Sequence, residues 1–160
     1  MSENVNKVNE EQVNAVIEKL ESKDFGIYFF TLDTKGNPVA GVANIYEHVK
    51  VLNELGYKAY IMHEKDNYKL RGDETSMGIN DWLGEEYMTL PHQSIEGQNL
   101  QVSPEDLIII PELYGFIMSQ ITNLPCGKIV LCQSYDYMLE TLQPGQTWND
   151  LGFLKCITTS

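Results

Sequence analysis

The sequence predicts an open α/β domain whose sheet is mostly parallel and flanked by helices. Three observations carry this. Short apolar runs rich in β-branched and aromatic residues alternate with amphipathic stretches at helical spacing. The runs are apolar throughout, as strands covered by helices on both faces must be. Strand, loop, helix, glycine and strand follow one another over residues 26–64, the pattern of a βαβ crossover.

In order along the chain, residues 1–24 are polar with Val13, Ile17 and Leu20 at one-turn spacing, a peripheral helix and extension ahead of a domain over 25–160. Residues 26–32 form the first strand, and a loop at 33–41 holds two glycines and a proline. Val42, Ile45, Tyr46, Val49, Leu52 and Leu55 then recur on one helical face, and Gly56 stands where a glycine ends a helix. Residues 58–64 are the second strand. The segment 65–103 is less regular, with a helix at 81–90 and an edge strand within 93–102. Strand 106–112, helix 114–124, strand 128–134, helix 135–142 and a final strand at 154–160 complete the series. Five main strands separated by helices give a Rossmann-like open sheet. Ser160 is a good helix N-cap with no helix after it, so the chain reads as a fragment lacking a neighbour.

Length and composition agree with one domain. A chain of 160 residues buries roughly 70% of the surface its unfolded form exposes, and needs neither disulfide nor metal for stability. Cys126, Cys132 and Cys156 are odd in number and lack CxxC spacing; they read as buried reduced thiols, which places the protein in the cytoplasm. There is no signal-peptide pattern and no apolar run of spanning length, so the chain is not membrane-spanning.

The formal net charge is −12, and residues 72–127 contain no Lys or Arg while holding Asp73, Glu74, Asp81, Glu85, Glu86, Glu96, Glu105, Asp106 and Glu112. Such a surface repels a phosphate backbone, which excludes nucleic acid as a partner. A solvated acidic face explains most of these charges without a dedicated cation site.

In an open parallel sheet, ligands bind beyond the carboxyl ends of the strands. That rule selects the 33–41 loop, His63, Glu112 with Tyr114, and Gln133 with Ser134 and Tyr135. Gly36 and Gly41 let the loop approach a ligand closely, although a plain connecting turn needs the same glycines. The loop carries neither GxGxxG nor a P-loop, since Val42-Ala43 stands where Lys-Ser/Thr is required. His63 suits a general base and Glu112 a partner for sugar hydroxyls; either could equally serve structure. Gln133, Ser134 and Tyr135 combine neutral hydrogen-bonding groups with an aromatic face, a mixture that fits polyols. No zinc spacing, Ser-His-Asp set or carboxylate dyad stands out. The rival readings are a non-catalytic flavodoxin-like or receiver-like module, a Rossmann oxidoreductase and an acidic interaction protein. A receiver needs an acidic cluster after its first strand, where Asp33 is alone, and a Lys at the end of its last, where Lys155 lies inside the strand.

Four stretches then resemble one family. Residues 41–60, GVANIYEHVKVLNELGYKAY, resemble the G-G-x-x-x-x-x-x-x-L-x-x-x-G-H-x-V opening of GT-B glycosyltransferases of the family 4 type. Residues 106–115, DLIIIPELYG, resemble the family's strand followed by PE-x-[YG]-G, and 128–135, KIVLCQSY, its strand followed by Q-[NS]-x-Y. Residues 154–160 are similar to the strand ending in Ser before the helix towards the second domain. Ala40-Gly41 replaces the usual Gly-Gly, after an inserted Lys-Gly-Asn-Pro, and Gly56-Tyr57 replaces Gly-His.

The resemblance implies the acceptor-side half of a retaining transferase that moves a sugar from a nucleotide-sugar donor to a glycan or other hydroxyl acceptor. The donor would be held mainly by a second domain, so this half alone would be inactive; no cofactor or metal is implied. Gly36, Gly41 and Val42 would line the cleft near donor phosphates or acceptor. His63 and Glu112, the catalytic candidates, would contact hydroxyls together with Tyr114, Gln133 and Tyr135.

Overall fold

The computed structural model describes residues 10–34, 36–64, 80–96 and 100–158, without the side chains of Gln12, Val13, Val16, Asp81, Met138 and Leu139. Asp73, Glu74, Ser160 and the side chain of Val13 therefore lie outside the described residues.

Six strands form one all-parallel sheet: β1 (Gly26–Phe30), β2 (Lys58–His63), β3 (His92–Ser94), β4 (Leu107–Pro111), β5 (Gly127–Cys132) and β6 (Lys155–Thr158). Their spatial order is β3-β2-β1-β4-β5-β6. Helices α1 (Glu10–Ser22), α2 (Ala40–Glu54), α3 (Glu85–Met88), α4 (Gly115–Ile121) and α5 (Tyr135–Thr141) connect or flank them, with 3₁₀ turns at Asp81–Leu83 and Trp148–Leu151. This is the open α/β, Rossmann-like architecture.

The winding follows from the strands' two-sided burial. In β1, Tyr28 and Phe30 join one core while Ile27 and Phe29 join the other; in β4, Ile108 and Ile110 oppose Ile109. Successive strand residues point to opposite faces, so a strand apolar at every position must be covered twice. Val42, Ile45, Tyr46 and Val49 of α2 cover one face, and Ile117, Met118 and Ile121 of α4 cover the other. The chain leaves β1 towards β2 and later restarts at β4 on β1's other side, and right-handed crossovers running in opposite directions must place their helices on opposite faces. The loops after β1 and β4 therefore diverge and open a gap between them.

The opposite rim is tied by Asp106, which is buried. Its carboxylate accepts the Gly26 N–H (2.6 Å) and the Ser103 N–H (2.7 Å), fixing the start of β1 against β4. Lys128, also buried, donates to the Leu124 and Cys126 carbonyls beyond α4 (2.7 and 3.4 Å), which satisfies an ammonium away from water.

Several sequence expectations change in detail. The helix expected over 81–90 is instead a 3₁₀ turn and α3, separated by Gly84 at φ 108°. The edge strand expected within 93–102 is β3, which pairs His92 with Ile61 and ends at Ser94. Cys126 and Cys132 are buried, but Cys156 is exposed because β6 lies at the sheet's edge. On α4, Phe116 is exposed while Ile117, Met118 and Ile121 are buried. Among the described residues no helix is long and apolar enough to cross a membrane.

Core burial sets the scale of stability. Ile110→Ala, at a fully buried position, should cost about 3–4 kcal/mol. Leu154→Ala, at an exposed one, should cost less than about 0.5 kcal/mol. Urea denaturation of both variants checks this; comparable losses would contradict the assignment of the two-faced core.

Candidate functional site

The gap between the β1 and β4 loops is a cavity of about 770 Å³, within the range of small-molecule sites. Leu32, Asp33 and Thr34 form the β1 side. Val39 to Val42 at the start of α2 form the floor, and Glu112, Leu113 and Tyr114 the β4 side. Gln133, Ser134, Tyr137 and Glu140 close the far wall. A smaller hollow of about 190 Å³, bounded by Lys19, Leu20, Phe25, Glu105 and Leu107, lies at the other rim and is almost wholly apolar.

Gly41 and Gln133, 92 residues apart, meet at the centre. The Gln133 side-chain amide donates to the Gly41 carbonyl (3.2 Å), and a β-carbon on Gly41 would stand 2.4 Å from Gln133 Oε1. The glycine leaves room for this close approach, and its backbone angle is not unusual. Beside them, Glu112 is wholly buried. Its Oε1 accepts the Ser134 N–H (2.8 Å), while among the described residues no hydrogen-bond partner reaches its buried Oε2. The Thr141 hydroxyl donates to the Glu112 carbonyl (2.6 Å) and so ties α5 to the end of β4. Tyr114 packs edge-on against Phe30 with ring centres 5.2 Å apart. Burial, helped by the Glu112 charge, pushes its phenol up to about 12, so it stays a protonated donor.

The β1 loop is held from behind. Asn80 Oδ1 accepts the Thr34 N–H (2.9 Å) and the Thr34 hydroxyl (2.8 Å), and its amide donates to the Leu32 carbonyl (3.0 Å). The Trp82 indole N–H donates to Thr34 Oγ1 (2.8 Å). Deeper still, Asp33 Oδ1 is 3.3 Å from His63 Nδ1, and His63 Nε2 is 2.8 Å from His92 Nδ1. Burial first, and the neighbouring His63 second, lower His92 to about 4, so it is neutral at pH 7.

The structure thus brings Gly41, Val42, Glu112, Tyr114 and Gln133 together around one cavity. Three sequence candidates lie elsewhere. His63, at the end of β2, is buried behind Asp33 and does not line the cavity. Gly36, at φ 77°, makes the turn closed by the Asn37 N–H to the Thr34 carbonyl (3.1 Å) and stands clear of the cavity wall. Tyr135 projects into solvent; Tyr137, two residues on, supplies the aromatic surface instead. Asn80 and Trp82 were not legible in the sequence, because they follow an irregular segment whose period gives no address.

Among the described residues no group of three or more His, Cys, Asp or Glu side chains could hold a metal ion. A scan against protein-family models and searches of curated proteins and of solved structures return no match.

Two outcomes follow. Gly41→Ala should displace Gln133 and cost about 1 kcal/mol in urea denaturation, the worth of the lost hydrogen bond, and most of that cost should vanish in a Gln133→Ala background. His92 binds a proton less readily folded than unfolded, where histidine titrates near 6.5. Its contribution is therefore full above about pH 6.5 and is lost as pH falls towards 4, by about 2 kcal/mol after discounting for its partial exposure. His92→Asn should flatten that part of the stability profile.

Proposed function

We propose that the switch-point cavity binds a hydroxyl-rich small molecule that carries no phosphate, as the acceptor side of a sugar transferase would. The observation that carries this is the make-up of its wall. Gln133, Ser134, Thr34 and Asn37 offer neutral donors and acceptors, Tyr114 and Tyr137 offer aromatic surface, and no described lining residue is Lys, Arg or His. Polyols are recognised by such amides, hydroxyls and carboxylates, with ring faces against aromatics. A leaving diphosphate needs cations or clustered N–H donors as its bond breaks. No described lining side chain supplies such a cation, which supports the acceptor role for this chain. Cavity residues Gly41, Glu112, Tyr114 and Gln133 fall within the stretches that resemble the GT-B family.

A second reading, a non-catalytic binding module, is favoured by the same lack of a described cation. The flavodoxin-like and receiver-like forms of it are disfavoured by strand order: those folds run 2-1-3-4-5, whereas two strands here lie beyond β1 on its α2 side.

Calorimetry of the full chain with glucose, myo-inositol and maltose, against a nucleotide-sugar and inorganic phosphate, tests the proposal. Saturable binding of at least one polyol is expected, weakened about tenfold or more by Gln133→Ala, and no tighter binding of either phosphate-bearing probe. Binding confined to phosphate-bearing probes would overturn it.

A further inference from the structure

We infer that the ligand of this cavity carries a positive charge, and that it is an amine-bearing polyol such as an amino sugar or aminocyclitol; the inference rests on the polyol-binding reading above. Asp33, Glu112 and Glu140 line the cavity without a described cationic side chain among its lining residues. Acidic residues alone would be ordinary surface. Glu112 is different: it is wholly buried, borders the cavity, and keeps one carboxylate oxygen without a hydrogen-bond partner among the described residues. Leaving a buried carboxylate half-satisfied is costly, and a bound ammonium would supply both the missing donors and the counter-charge.

The start of α2 pulls the other way, since a helix N-terminus attracts anions. It amounts to roughly half a positive charge, against three formal negative ones in the same cavity. The carboxylates win. They are also too dispersed for an inorganic cation, because no three acidic or metal-ligating side chains among the described residues come close enough to share one. An ammonium needs only Glu112 at the wall, leaving the rest of about 770 Å³ for a polyol scaffold. Tyr114 and Tyr137 present aromatic surface in the same cavity, which a cation also favours.

The test is isothermal calorimetry of the full chain at about pH 6.5, where an amine of this type is protonated. The probes are glucosamine, glucose, glucose 6-phosphate and MgCl₂. Glucosamine should bind about tenfold more tightly than glucose, the margin of one charge-assisted hydrogen bond. Glu112→Gln keeps the bond to the Ser134 N–H and should erase that margin, so that glucosamine and glucose bind the variant equally, whatever its affinity for the two. Should that variant not fold, Glu140→Gln and a salt titration of the wild type replace it, and both should shrink the margin. Equal binding of glucose and glucosamine overturns this inference and leaves the polyol reading standing. Tighter binding of the phosphate removes both, and no binding of either sugar removes the amine inference. Glu112-dependent binding of Mg²⁺ alone overturns the amine in favour of an inorganic cation.

Discussion

Everything in this fold depends on β1 being buried on four sides. It is paired with β2 and β4 along its edges, and its alternate side chains enter two different cores. A strand in that position cannot serve one helix layer only, so the chain must wind first one way and then the other. The cavity is the geometric residue of that reversal, since the β1 and β4 loops diverge where the winding changes direction. Its location needs no dedicated sequence motif. Its lining does, and there the chain has placed a buried carboxylate, two tyrosines and a set of amides.

The apolar runs made the main strands legible, because full burial in a parallel sheet demands them, and α2 was legible from the spacing of Val42, Ile45, Tyr46 and Val49. The middle of the chain was not. Gly84 interrupts what periodicity alone reads as a continuous helix, and β3 is only three residues long, too short for any period to register. Proximity to a strand end selected Gly41, Glu112, Tyr114 and Gln133, and all four line the cavity. The same rule selected His63, which lies outside the cavity lining with its imidazole against Asp33. It also selected Tyr135, which is exposed and outside the lining, whereas Tyr137 borders the cavity.

The cavity loops differ in how they are held. Thr34 donates twice to Asn80 and accepts from Trp82, and His63 and His92 stand behind Asp33. The far wall rests on Gln133 at Gly41 and on Ser134 at Glu112. A wall braced on both sides holds its shape, so a ligand in the proposed site would bind with little cost of ordering. The same bracing explains why the loop tolerates a half-satisfied carboxylate opposite it: the surrounding hydrogen bonds over-determine the local structure, and the cost at Glu112 is carried by the rest of the fold.

A backbone amide chemical-shift map recorded with a saturating hydroxyl-rich ligand tests the central claim most directly. The account predicts that the largest changes fall on Gly41, Leu113, Gln133 and Tyr137, around the reversal in winding. Changes centred instead on Leu20, Phe25 and Leu107, at the opposite rim, would contradict it.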